Sequence, residues 1–227
     1  MDIEISYRPS YSLGVIKLAA QEEVLVEGGS MVAMSQGVGL ETKATGGFLK
    51  SLGRSLLGGE SFFQNTYKAP AAGGKIYVAP PLPGDLSTLE LQNDSMMLQS
   101  GAYVASEMGL QIDTKWGGAK TFFASEGLIL LRASGSGKIL VSSYGAIHEV
   151  ELAAGETLTV DTGHLVAFNE RIGFKVRAVG GIKSTLFSGE GLVVDLTGPG
   201  RVLLQTRSQS SFLAWLIPQL PKNTGNN

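Results

Sequence analysis

Apolar and polar positions alternate from the start of the chain: Ile3, Ile5 and Tyr7 are separated by Glu4 and Ser6, the period of two that a strand with one buried face requires. A strand over residues 2–7 is expected. Residues 8–12 hold a proline and two serines and read as a turn, and residues 13–20 and 23–27 supply two further short extended pieces. Helical periodicity is rare. Over residues 48–57, Phe48, Leu49, Leu52, Leu56 and Leu57 recur at helical spacing with Lys50, Ser51, Arg54 and Ser55 on the other face, which predicts a short amphipathic helix. A second short helix is expected over residues 210–216, where Phe212, Leu213, Trp215 and Leu216 are apolar and Pro218 and Pro221 stop the pattern. Residues 222–227 carry no apolar pattern and read as disordered.

The pattern repeats along the chain. Residues 17–34 align without a gap to residues 151–168, with Leu18, Ala19, Ala20, Glu22, Val26, Gly29, Val32 and Ala33 meeting identical partners. A middle copy is weaker but keeps Gly-x-(apolar)-Val-Ala at residues 101–105, against residues 29–33 and 163–167. Downstream, the stretches 46–78, 117–143 and 180–207 each hold a Gly-Gly pair, a glutamate beside a glycine, and a glycine-rich turn ending in a basic residue. Those basic residues, Lys75, Lys138 and Arg201, are 63 positions apart both times. Repeats at a fixed period outrank other local signals. They divide the chain into units of about 1–81, 82–145 and 146–208, with a C-terminal tail over 209–227, as one domain sharing one core. Residues 48–57 are an insertion peculiar to the first unit.

Composition narrows the function classes. Hydrophobic residues at 43% against 17% charged describe a well-buried globular chain, and 31 glycines with 8 prolines spread throughout favour short strands over long helices. A net charge of -2 and a pI near 5.7 leave no overall positive field to gather phosphate backbones, so nucleic acid is disfavoured. Cysteine is missing altogether, which removes disulfides, thiolate nucleophiles and Cys-ligated zinc, and fits a reducing cytoplasm. The acidic, alternating N-terminus lacks a basic n-region, and apolar runs fall far short of the roughly 20 residues of a membrane-spanning helix. A cytoplasmic protein is expected.

The motifs that could carry chemistry are few. Gly135-Ser136-Gly137-Lys138 resembles the end of a phosphate-binding loop, but Arg132 stands where its first glycine belongs and Ile139 where Ser or Thr belongs. Its counterparts at residues 73–75 and 198–201 read as turns, so a hairpin turn is expected here too. His148 and His164 have no partner motif, and neither a Gly-x-Ser-x-Gly elbow nor a His-Glu-x-x-His helix occurs. No catalytic residue is assigned, and a non-enzyme with no cofactor is expected. The glutamates at matching positions, Glu60, Glu126 and Glu190, are ligand-binding candidates: turn residues in the plainer reading, or a set converging on a divalent cation in the sharper one. Phe48, Leu49, Leu52, Leu56, Leu57, Phe212 and Trp215 are candidates for contact with a partner or a membrane surface. Capping of open sheet edges is their plainer role.

Gly-Gly-Ser-Met-Val-Ala-Met over residues 28–34, GGFLKSLGRSLLGGESFF over 46–63 and the closing VLLQTRS over 202–208 resemble a family of uncharacterised bacterial proteins. That family is related to the altered-inheritance-of-mitochondria protein 24 (AIM24) of fungi. The resemblance implies an all-β fold of tandem repeats of antiparallel sheets with one or two short helices. The fold would be similar to the tryptophan RNA-binding attenuation protein (TRAP-like), of β-sandwich or double-stranded β-helix type. It carries over no catalytic site, and fold alone does not transfer RNA binding. A non-enzymatic binding or scaffold protein is therefore expected, self-associating as a homo-oligomer and meeting a protein partner not identified by sequence, with a weak peripheral membrane contact as a lesser expectation. A small-ligand or divalent-cation module using the glutamates, and an RNA-binding module by fold analogy, are the alternatives.

Overall fold

The computed structural model describes residues 1–41, 64–113, 128–179 and 192–221. The amphipathic segment 48–57, residues 222–227 and the glutamates Glu60, Glu126 and Glu190 lie outside the described residues. Every strand ladder among those described is antiparallel, and the all-β architecture expected from the alternation is what the chain adopts.

The chain opens with β1 (Asp2–Ser6), where the expected strand ends one residue early because Tyr7 takes a left-handed backbone, φ 61°. A first set follows: β2 (Leu13–Leu18), β3 (Glu23–Glu27), β4 (Met31–Met34), β5 (Gly39–Glu41), β6 (Gln64–Lys68) and β7 (Gly74–Val78). Here β2 and β4 flank β7, while β3 and β5 flank β6. The last set is β12 (Ile147–Leu152), β13 (Thr157–Asp161), β14 (Leu165–Asn169), β15 (Gly173–Ala178), β16 (Leu192–Thr197) and β17 (Gly200–Gln205). Its scheme is the same, with β12 and β14 flanking β17, and β13 and β15 flanking β16. Burial follows the alternation: Ile16 and Leu18 on β2, and Val24 and Val26 on β3, are buried between half-buried neighbours.

The middle set uses fewer, longer strands: β8 (Leu86–Gln99), β9 (Tyr103–Glu107), β10 (Leu110–Asp113) and β11 (Leu130–Ser142). In the outer sets a turn separates the first two strands. Glu22 and Glu156 close those turns alike, each side chain accepting the amide N–H of Ala19 or Ala153 at 2.7 and 2.8 Å, which explains why the Leu-Ala-Ala-x-Glu signature recurs. The middle set has no such turn. β8 continues without a turn through a bulge at Asn93, left-handed at φ 51°, whose N–H donates to the Ser136 hydroxyl at 2.9 Å.

One sequence expectation is corrected here. Gly135-Ser136-Gly137-Lys138 is not a hairpin turn; it lies inside β11, where the register with β8 shifts between Gly135 and Ser136. Gly135 sits at φ 119°, and a Cβ there would approach the Gly109 carbonyl oxygen to 2.8 Å, so glycine serves a β-bulge. At the counterparts, residues 73–75 and 198–201, a turn ends and β7 or β17 begins, and the turn carries the chain from one sheet to another, β6 to β7 and β16 to β17, rather than closing a hairpin.

Among the described residues no set has a core of its own. Ile16, Val24 and Ile76 pack with Leu86, Val104 and Leu140 of the middle set; Met97 and Leu128 pack with Phe168, Leu196 and Val202; Leu98, Tyr103 and Ile139 pack with Val166 and Leu203. The connecting segments cross at close range. Ser12 N–H donates to Gly84 O at 3.0 Å and Asp85 N–H to Gly145 O at 2.9 Å, and a Cβ on Gly84 would overlap the Ser143 carbonyl oxygen. Asp85, buried at this crossing, accepts two bonds from the Arg8 guanidinium at 2.8 and 2.9 Å, one from the Ser12 hydroxyl at 3.0 Å and one from the Leu86 amide at 2.8 Å.

Burial alone would push the Asp85 carboxyl up; the donors facing it, Arg8 first, more than reverse this and hold it below the ordinary carboxylate range. A depressed folded-state value contributes stability above the unfolded pKa of about 4 and loses it as pH falls through the folded value. Asp85→Asn should therefore lower the unfolding free energy by about 2 kcal/mol at pH 7, in urea titrations followed by circular dichroism. The deficit should shrink steadily below about pH 4.

Candidate functional site

The ends of the sets meet beside this crossing and leave a cleft of about 590 Å3. Its walls include Gln99, Ser142, Tyr144, Gln205 and Ser208, with Leu213 above them. The closing Leu-Gln-Thr-Arg-Ser motif builds much of it. Gln205 accepts the Tyr144 amide N–H at its Oε1, 2.8 Å, and donates from Nε2 to Gly163 O, 2.8 Å, so one side chain ties two segments together. The Thr206 hydroxyl accepts from Ala146 N–H at 3.0 Å, and Arg207 N–H donates to Tyr144 O at 3.1 Å. Ser208 then starts the helix α1 (Gln209–Leu216): its hydroxyl accepts the Ser211 N–H, satisfying one of the donors that a helix start leaves free.

The helix expected over residues 210–216 is thus present, one residue longer at its start. Phe212 anchors it edge-on to Tyr144, ring centroids 6.1 Å apart, and lies 6.1 Å from the Trp215 ring. Trp215 itself is 63% exposed, and Ile217 and Leu220 beyond it are exposed as well. Of the sequence-predicted contact residues, Phe212 therefore faces the cleft wall and Trp215 faces outward. Phe48, Leu49, Leu52, Leu56 and Leu57, like Glu60, Glu126 and Glu190, fall outside the described residues.

The cleft is chemically neutral over most of its lining: hydroxyls, side-chain amides and Leu213, with Glu27 as the acidic exception. Among the described residues every buried side-chain nitrogen or oxygen has a hydrogen-bond partner, and no group of three or more His, Asp or Glu side chains is placed to hold a metal ion. His164 stands near the cleft with Nδ1 donating to Gln205 O at 2.8 Å, a structural tie; His148 is exposed on β12. Tyr103 is buried between Gln64 and Ser106, with its hydroxyl 2.7 and 2.8 Å from theirs, and burial pushes its pKa strongly up, so it stays a neutral phenol. Gln205, Tyr144 and Ser208 were not singled out by sequence reasoning. The signal that marks Gln205 and Ser208 is the closing Leu-Gln-Thr-Arg-Ser, whose Gln205, Thr206 and Ser208 side chains bond at this junction; Tyr144 carries no such signal.

Antiparallel sheets without a closed barrel, with one short α-helix among the described residues, define an all-β protein. A family model, mitochondrial biogenesis AIM24, matches residues 3–207, and the chain belongs to that family. It is 28% identical over 232 residues to an uncharacterised protein of Streptococcus pyogenes serotype M6, covering 99% of this chain and 93% of that one. A crystal structure of a Streptococcus pyogenes protein, solved as a structural-genomics target, superposes with a TM-score of 0.81 at 28% identity, covering 96% of this chain and 99% of the other. The family expected from the 28–34, 46–63 and 202–208 motifs is the one found. No helix among the described residues is long and apolar enough to cross a membrane.

If Phe212 is what holds α1 down, Phe212→Ala should leave the sheets intact and raise amide hydrogen exchange in residues 209–216 roughly fivefold, the equivalent of about 1 kcal/mol for a lost aromatic pair. Exchange read by mass spectrometry should show the change confined to α1 and residues 142–146.

Proposed function

We propose that the protein is a non-enzymatic binding or scaffold protein that associates with itself, and that it is a single domain made of three copies of one unit, about 1–81, 82–145 and 146–208, with 209–227 as a docking tail. A cytoplasmic setting fits the lack of cysteine. The recurrence of one pairing scheme in the strand sets, and core clusters that each draw on neighbouring sets, support the repeat reading.

The observation that carries the functional reading is the row of Trp215, Ile217 and Leu220, turned outward beside a cleft whose polar groups are already committed to one another. Apolar side chains gathered at one place on a surface mark contact with another macromolecule. A reaction centre would instead want a poised acid, base or nucleophile.

Sedimentation velocity across the micromolar range should give a species heavier than the 23.8 kDa chain, with a larger share of it at higher concentration. A profile that stays monomeric throughout removes self-association from the reading.

A further inference from the structure

We propose that copies of this chain join head to tail by strand addition: β13 of one copy pairs antiparallel with the outer edge of β4 of the next. Leu158 then lies opposite Ser35, Thr159 opposite Met34, and Val160 opposite Ala33. The inference rests on the reading that the protein self-associates, and gives that association its surface and its register.

The strand sets join one another within the chain at two seams. At the first, β3 pairs with β9: Val24 faces Glu107, Leu25 faces Ser106 and Val26 faces Ala105. At the second, the later half of β8 pairs with β14: Met96 faces Asn169, Met97 faces Phe168 and Leu98 faces Ala167. The repeat alignment puts Val24, Met96 and Leu158 at one position, and Ser35, Glu107 and Asn169 at another. Both seams therefore use the same register. Each set offers its second strand to the third-position strand of the set that follows.

Two strands are left over by this rule. β13 is the second strand of the last set, and β4 is the matching strand of the first; each has a single partner among the described residues, β16 and β7 respectively. Their exposure fits a seam that has not been made. Tyr103, Val104, Ala105 and Ser106 on β9 are all 0% exposed, and Leu165, Val166, Ala167 and Phe168 on β14 are at most 1% exposed. The same positions on β4 are open: Met31 is 37%, Val32 59% and Met34 41% exposed. The sequence at these places is as apolar as in the buried copies, Met-Val-Ala-Met against Leu-Val-Ala-Phe.

Edge strands that must stay single are guarded by charge, proline or a bulge that turns them away. Met31–Met34 carries neither charge nor proline, and its register shift at Val32 recurs at Val104 of β9 and Val166 of β14, which are paired on the corresponding edge all the same. A second copy of the chain is the occupant this edge fits, because the chain itself contains the complementary strand and shows twice how the two strands pair. The contact is heterologous, so repeated addition closes into a ring or extends as a filament according to the rotation per step.

The chain has no cysteine, which makes a disulfide test clean. Full-length Met34→Cys and Thr159→Cys chains, mixed and mildly oxidised, should give a disulfide-linked pair of chains, since directly opposed cross-strand residues lie within disulfide reach. Met34→Cys mixed with Asp161→Cys, two residues out of register, should link several-fold less. Leu25→Cys with Ser106→Cys in one chain, across the seam already present, calibrates the yield. Independently, Val32→Asp should sediment as a monomer with unchanged far-UV circular dichroism, because Val32 is exposed in the single chain.

A chain carrying both Met34→Cys and Thr159→Cys that forms its disulfide only within itself would overturn the proposal in favour of self-closure. If wild type and Val32→Asp both sediment above the monomer and the in-register pair does not link, the head-to-tail seam is wrong while self-association stands. If wild type is monomeric throughout, both readings fall.

Discussion

The structure hangs on the ladder between β8 and β11. Its pairs run from Leu86 opposite Ser142 to Gln99 opposite Leu130, and the outer strand sets are attached through it: β14 to the far half of β8, and β3 by way of β9 to the near half of β11. Antiparallel pairing satisfies backbone groups only while each strand has a neighbour in register. A strand pair long enough to serve both flanking sets is what allows the sets to share their cores.

That role explains why the middle set is drawn differently from its neighbours. In the outer sets the chain turns between strands that belong to different sheets, with Glu22 and Glu156 tying the turns. In the middle set the strands pass the corresponding place within one sheet, through a bulge at Asn93 opposite the register shift at Gly135 and Ser136. Glycine answers both needs, since a turn and a bulge each require a backbone conformation that a Cβ would obstruct. The glycine-rich segment ending in a basic residue therefore says that the chain changes direction, and leaves open whether it turns or bulges.

The junction next to this ladder is held by backbone approach and by a few polar side chains that each do two things. Gln205 joins the Tyr144 segment to Gly163, Asp85 gathers Arg8, Ser12 and Leu86, and Ser208 starts α1. Of these, Gln205 and Ser208 line the cleft, and both are already bonded within the chain. Trp215, Ile217 and Leu220 of the C-terminal segment are exposed, and β4 and β13 each end their sheet.

The sequence by itself determined the local rules. Period-two alternation marked the strands, the apolar run ending at Pro218 marked α1, and the Leu-Ala-Ala-x-Glu and Gly-x-(apolar)-Val-Ala signatures marked positions that turn out to share partners. Those are short-range matters of side-chain direction and turn chemistry, readable within a few residues. Only the tertiary structure decided which strands pair, because pairing joins residues as distant as Met97 and Phe168 or Leu25 and Ser106, and no local pattern specifies that choice. It also decided that Gly135 bulges instead of turning. The same apolar Val-Ala segment is sealed in β9 and β14 and open on β4, since burial of a strand depends on what lies against its edge and not on the residues it contains.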